Sequence, residues 1–107
     1  MEVLSLREVA GRLSQPVTRA QQAVRDGQLI ALRRAGELVV PAVFLTADAV
    51  VKGLPGTLTV LADSGFSPTQ MLQWLFTSDE SLPGTPIEAL RHGRGREVKR
   101  RAQALAF

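Results

Sequence analysis

The sequence predicts a mainly α chain interrupted once by a two-stranded β-hairpin, with a wholly helical module behind it. Three observations carry that expectation. Apolar residues recur at helical spacing between Leu6 and Val24. Two strand-like runs then flank Arg34-Ala35-Gly36. Ser/Thr-x-x-Glu/Gln signatures at Ser5, Ser67 and Thr85 mark three helix starts. At 107 residues, 45% hydrophobic and 21% charged, the chain has the composition of one globular domain or two small modules sharing a core.

The first helix opens at Ser5-Leu6-Arg7-Glu8, where the Ser5 hydroxyl and the Glu8 carboxylate satisfy each other's backbone amides. Leu4 and Val9 are placed as a hydrophobic staple, and Leu6, Val9, Ala10 and Leu13 form the buried stripe. Ser14-Gln15-Pro16 is a tight connection, because Pro16 ends one helix but tolerates the start of the next. At about 100° per residue, Val17, Ala20, Ala23 and Val24 share one small apolar arc of the second helix, residues 17–26. Thr18, Arg19, Gln21, Gln22, Arg25 and Asp26 share the opposite, polar arc, and Gly27 stops the helix.

Leu29-Ile30-Ala31-Leu32-Arg33 and Glu37-Leu38-Val39-Val40 read as strands joined by a three-residue loop, with Arg33 and Arg34 at the tip. Pro41 ends the returning strand, and Ala42 to Leu45 begin a short third helix. This order of parts is a winged helix-turn-helix. A polar helix bearing Gln and Arg suits a major groove about 12 Å wide, since Gln pairs bidentately with adenine and Arg with guanine. A basic wing lies along phosphates or enters the minor groove. Thr18, Gln21, Gln22 and Arg25 are the candidate base contacts; Arg19, Arg33 and Arg34 are the candidate phosphate or wing contacts. A polar outer arc by itself is equally the solvent face of an ordinary small helical protein. The basic hairpin shifts that balance.

Lys52-Gly53-Leu54-Pro55-Gly56 reads as a hinge between residues 1–50 and 51–107. Leu58, Val60, Leu61 and Ala62 follow as a short buried helix stopped by Gly65. Ser67-Pro68-Thr69-Gln70 opens another, with Phe66 and Met71 as its staple and Met71, Leu72, Leu75 and Phe76, with Trp74 beside them, as core. Thr85-Pro86-Ile87-Glu88 opens a third through Leu90. The last helix starts at Gly95, with Val98, Ala102 and Leu105 as its apolar stripe and Glu97–Arg101 as an i, i+4 pair. Its Arg96, Lys99 and Arg100 have two readings: extra phosphate contacts, or a solvated face whose cations favour the helix C-terminus.

Charge is segregated. Residues 1–45 carry six arginines against four acids, residues 46–90 one lysine against five acids, and residues 91–107 six cations against Glu97. Two basic ends around an acidic middle point toward a polyanion. Other classes fall away. Cysteine is absent, and one histidine makes a zinc site improbable. His92 has no catalytic neighbour, Gly93-Arg94-Gly95 lacks the strand that precedes a phosphate loop, and Asp79 and Glu80 adjoin in a turn. No enzyme and no cofactor are expected. The uncharged stretch at the hinge, Gly53 to Ala62, is too short to span a bilayer, and residues 1–5 lack a basic, apolar signal, so a cytoplasmic, nucleoid-associated protein with no membrane partner is expected.

Residues 6–45, in the run Leu13-Ser14-Gln15-Pro16-Val17-Thr18-Arg19-Ala20, then Arg25-Asp26-Gly27-Gln28-Leu29 and the Arg33-Arg34 wing, resemble the excisionase/MerR-like winged helix-turn-helix family. Pro16 departs from that family's small polar cap. The resemblance implies double-stranded DNA as partner, with the second helix in the major groove. From Val51-Lys52-Gly53-Leu54-Pro55-Gly56 onward, and through Leu75-Phe76-Thr77, Leu82-Pro83-Gly84-Thr85-Pro86-Ile87-Glu88 and Gly95-Arg96-Glu97-Val98-Lys99-Arg100-Arg101, the chain resembles the C-terminal domain of a small actinobacterial DNA-binding protein family. It implies a transcriptional regulator or nucleoid factor, monomer or dimer being open. A member of that family is a serine/threonine-kinase substrate through an N-terminal extension. This chain starts almost at its first helix, so a kinase partner is implied by the family and not by these residues. Residues 82–90 also resemble, more loosely, the toxin-binding domain of Xre/ParS-type antitoxins. That supplies the alternative of a protein partner held by the C-terminal half, as in an antitoxin or adaptor.

Overall fold

A computed structural model describes residues 1–105 of the chain. These residues form two compact units, Met1–Val51 and a second beginning at Lys52. In the first unit the order is strand β1 (Val3–Ser5), helix α1 (Leu6–Leu13), helix α2 (Val17–Arg25), strands β2 (Leu32–Arg34) and β3 (Glu37–Pro41), and a single 3₁₀ turn, Ala42–Phe44. The Ser5–Glu8 capping box is present: Glu8 N–H donates to Ser5 Oγ at 3.1 Å, and Ser5 N–H to Glu8 Oε1 at 2.9 Å. Helix α1 closes with Ser14 in the left-handed region, φ 53°, where the Gln15 amide reaches back to the Ala10 carbonyl at 3.0 Å. Three residues later α2 begins, and it packs on α1.

The sheet has three strands where two were expected. β3 is central, with β1 on one edge and β2 on the other, all antiparallel. The added strand pairs Leu4 with Val40. A three-residue segment ahead of a capping box has no periodicity of its own; only its partner makes it a strand. The first half of the expected wing strand is not paired. Leu29 and Ile30 are buried and leave β2 to begin at Leu32, so they serve the core and not the ladder. The expected third helix is a 3₁₀ turn that buries Ala42 and Phe44, one of the most completely buried side chains. Pro41 before it and the extended Leu45 after it leave room for one turn only.

The second unit is helical: α3 (Leu54–Asp63), α4 (Pro68–Leu75), α5 (Pro86–Arg91) and α6 (Gly95–Gln103). Helix α3 starts inside the expected hinge. Gly53 at φ 88° turns the chain into the helix, and Pro55 in the first turn has no amide to lose there. Thr57 is fully buried, its hydroxyl donating to the Gly53 carbonyl at 2.8 Å. The Ser67–Gln70 and Thr85–Glu88 boxes both form as the sequence predicts. Leu54, Leu58, Leu61, Leu75, Ile87, Leu90, Val98 and Ala102 make the core.

Two details of α6 differ from expectation. Leu105 is 39% exposed, because the helix ends at Gln103, one turn short of extending its stripe. Glu97 and Arg101 do not pair. Arg94 Nη1 lies 3.4 Å from Glu97 Oε2, and Arg101 Nε lies 3.5 Å from Asp79 Oδ2. Asp79 is preset for that role, since Ser81 Oγ donates to its Oδ1 at 2.7 Å and fixes the turn. No helix among the described residues is long and apolar enough to cross a membrane.

Candidate nucleic-acid interface

Helix α2 buries only Ala20 completely; Val17, Ala23 and Val24 are partly covered. A single alanine at the contact lets α2 approach its neighbour closely, so its outer side stands clear. Thr18, Arg19, Gln21, Gln22 and Arg25 are all exposed. Three of the outward side chains are linked. Gln22 Nε2 donates to Asp26 Oδ1 at 2.7 Å, and Arg25 Nη2 donates to Gln22 Oε1 at 2.9 Å. This chain spends the Gln22 carbonyl on Arg25 and its amide on Asp26, which restricts the rotamers of both long side chains. Thr18, Arg19 and Gln21 carry no such internal bond among the described residues. The start of α2 is also open. Pro16 stands at the cap, supplies no side-chain bond, and is followed by no acid in the first turn. The positive end of the helix therefore lacks any anion of its own.

The wing is a tight hairpin. Arg34 faces Glu37 directly, so the loop has two residues, Ala35 and Gly36, and not the three expected. Both have positive φ, 52° and 81°, the backbone of a type I′ turn. Adjacent residues on a strand project to opposite faces. Arg33 stands opposite Leu38 and Arg34 opposite Glu37, so one guanidinium emerges on each side of the wing. Arg33 Nη1 donates to the Gly36 carbonyl at 3.3 Å, and Arg34 Nη1 to the Met1 carbonyl at 3.4 Å. The second contact depends on β1, which the sequence reading lacked.

Residues 1–45 match the family described as "DNA-binding protein Rv2175c, wHTH domain", and residues 51–106 match "Rv2175c C-terminal domain of unknown function". The chain belongs to the Rv2175c family. A curated relative, "DNA-binding protein Rv2175c" of Mycobacterium tuberculosis, is 45% identical over a match covering 95% of this chain and 79% of that protein. The solved NMR structure of Rv2175c superposes with a TM-score of 0.87 at 43% identity, over 99% of this chain and 82% of that one. The expected small actinobacterial winged helix-turn-helix family and its fold are thereby shown.

Within this Rv2175c-family architecture, the seven candidate residues from Thr18 to Arg34 fall in the winged domain, on α2 and on the wing of one unit. Arg96, Lys99 and Arg100 fall in the C-terminal domain, all exposed on α6. Arg96 and Lys99 line a cleft there together with Lys52 and Arg94; Arg100 does not. Lys52 and Arg94 were missed by the sequence reading. Their signal was cationic residues flanking Gly53 and Gly95, separated by more than forty positions and joined only by the fold.

Proposed function

We propose that this protein binds double-stranded DNA and acts as a transcriptional regulator, with α2 in the major groove and the β2–β3 wing against the backbone or in the minor groove. One observation carries the reading: α2 turns an exposed arc of Thr18, Gln21, Gln22 and Arg25 outward from a uniquely small buried contact, Ala20. The open, uncapped start of α2 favours a phosphate, and the relative's name as a DNA-binding protein agrees. In this reading Arg25, held by Gln22, reads a base edge; Gln21 and Thr18 read or neighbour bases; Arg19, Arg33 and Arg34 meet phosphates. The Gln22 link preorganises Arg25, lowering the ordering cost of a bidentate contact to guanine. Nothing in this mechanism makes or breaks a bond: occupancy of a site is the action.

The test is Arg25→Ala, assayed on a selected binding site and on unrelated duplexes at fixed salt. Loss of about 1–3 kcal/mol on the selected site, with unrelated sequences little affected, is the expected outcome. Equal loss on every sequence would make Arg25 a backbone contact and remove base reading from α2.

A further inference from the structure

Electrostatic crowding in the C-terminal unit is left without compensation. A cleft of about 680 Å³ lies where the starts of α3 and α6 meet, lined by Lys52, Gly53, Gly56, Arg94, Arg96 and Lys99 among others. The two helix starts touch through glycine. A Cβ placed on Gly53 would lie 3.5 Å from the Gly95 Cα and 3.1 Å from Leu90 Cδ2. Lys99 reaches across from α6, so that a Cβ on Gly56 would lie 4.0 Å from its Nζ. Its ammonium therefore rests over the first turn of α3. That turn is the positive end of a helix; it contains no acid and no side-chain cap. An aspartate or glutamate is the favoured occupant of such a place, and here a cation holds it.

The surroundings do not repair this. Arg94, the residue before α6, makes no side-chain cap either. Glu97 is the one acid of the lining, and it pairs with Arg94 at 3.4 Å. Lys52, Arg96 and Lys99 have no ion pair among the described residues. Three like charges and the acid-free start of α3 converge on one concave surface, while Glu97 stands in the first turn of α6. Like charges brought together without a counter-charge oppose one another, and an oxyanion bound among them converts the repulsion into attraction. Gly53 and Gly95 let the two helix starts approach each other, since a Cβ on either would meet the other's Cα, at 3.5 and 3.9 Å.

The geometry points to a phosphate-binding site in the C-terminal domain, built from Lys52, Arg96, Lys99 and the first-turn amides of α3 and α6. A phosphate group matches it by having several oxygens to share among cations and amides at once. The group is carried either by a DNA backbone or by a free phosphate compound. The inference does not rest on the DNA-binding reading of α2 and the wing.

The test is a nuclear magnetic resonance titration of the ¹⁵N-labelled full chain. One arm receives sodium pyrophosphate, another a DNA duplex, and a third sodium chloride at matched ionic strength. Saturable shifts at Gly53, Gly56, Gly95 and Arg96 in the pyrophosphate arm are the expected result for a free phosphate ligand. The same shifts in the duplex arm alone assign the site to the DNA backbone. In either case the double variant Arg96→Gln, Lys99→Gln weakens the response about tenfold or more. Both side chains are exposed, so the variant keeps the fold, which its dispersed spectrum reports. No saturable shift at these glycines in either arm overturns the proposal, as does a response the double variant leaves intact. A duplex that moves α2 and wing amides, with no shift at the cleft in either arm, overturns this site alone.

Discussion

Ala35 sits at φ 52°, in a backbone region that costs an L-residue with a Cβ about 1 kcal/mol or more. The turn demands it, because β2 and β3 are joined by two residues and only a type I′ geometry matches their twist. Asparagine tolerates this region far better than alanine, and Asn-Gly is the favoured pair. Ala35→Asn is therefore expected to stabilise the protein by about 1 kcal/mol. Urea unfolding checks it: the midpoint rises with the slope unchanged. The sequence showed a glycine between two strands, which was enough to place a hairpin there. It did not show whether Arg34 belonged to the loop or to the strand, because that depends on cross-strand pairing with Glu37.

The helices of this chain start by local rules. Three capping boxes, at Ser5, Ser67 and Thr85, form as their spacing dictates. They differ in one respect. Glu8 and Glu88 are carboxylates, and each is held below its ordinary value near 4.5, chiefly by the backbone amide of Ser5 or Thr85 and then by the hydroxyl of the same residue. Gln70 does not titrate. Because the folded values are depressed, the two acidic boxes contribute fully above the ordinary carboxylate range and are lost as pH falls through it and below. Thermal stability is expected to drop on acidification in that window, and Glu8→Gln with Glu88→Gln to flatten the drop, read by melting curves across a pH series. Asp79 adds to the same trend, lowered first by the Ser81 hydroxyl, then by the Ser81 amide, with Arg101 further behind. Ser67→Ala, in contrast, is expected to cost about 1 kcal/mol at every pH in that series.

The molecule as a whole segregates its chemistry. The winged unit offers Thr, Gln and Arg side chains on α2 and single cations on the two faces of the wing; the C-terminal unit offers a concentrated cationic cleft. Counterion release makes each phosphate contact visible as salt dependence. Changing Arg33 and Arg34 together to alanine is expected to weaken binding to all duplexes and to reduce the slope of log K against log salt by about 2. A fall of about 1 would mean that only one face of the wing meets the backbone, as their opposite projection allows. Titration at four or five salt concentrations distinguishes these outcomes.

What the residues determined unaided was everything governed by short spacing. The capping boxes, the two-helix turn, the division of α2 into an apolar and a polar arc, and the existence of a basic hairpin all follow from neighbours within four positions. What required the tertiary structure was everything governed by distant partners. Val3–Ser5 became a strand because β3 offered a free edge; Arg101 chose Asp79 over Glu97 because the turn at Ser81 holds that carboxylate in reach. Lys99 came to rest on Gly56 for the same reason. Helix pairing and strand pairing bring together residues that share no local pattern, and no period in the sequence encodes which cations will meet.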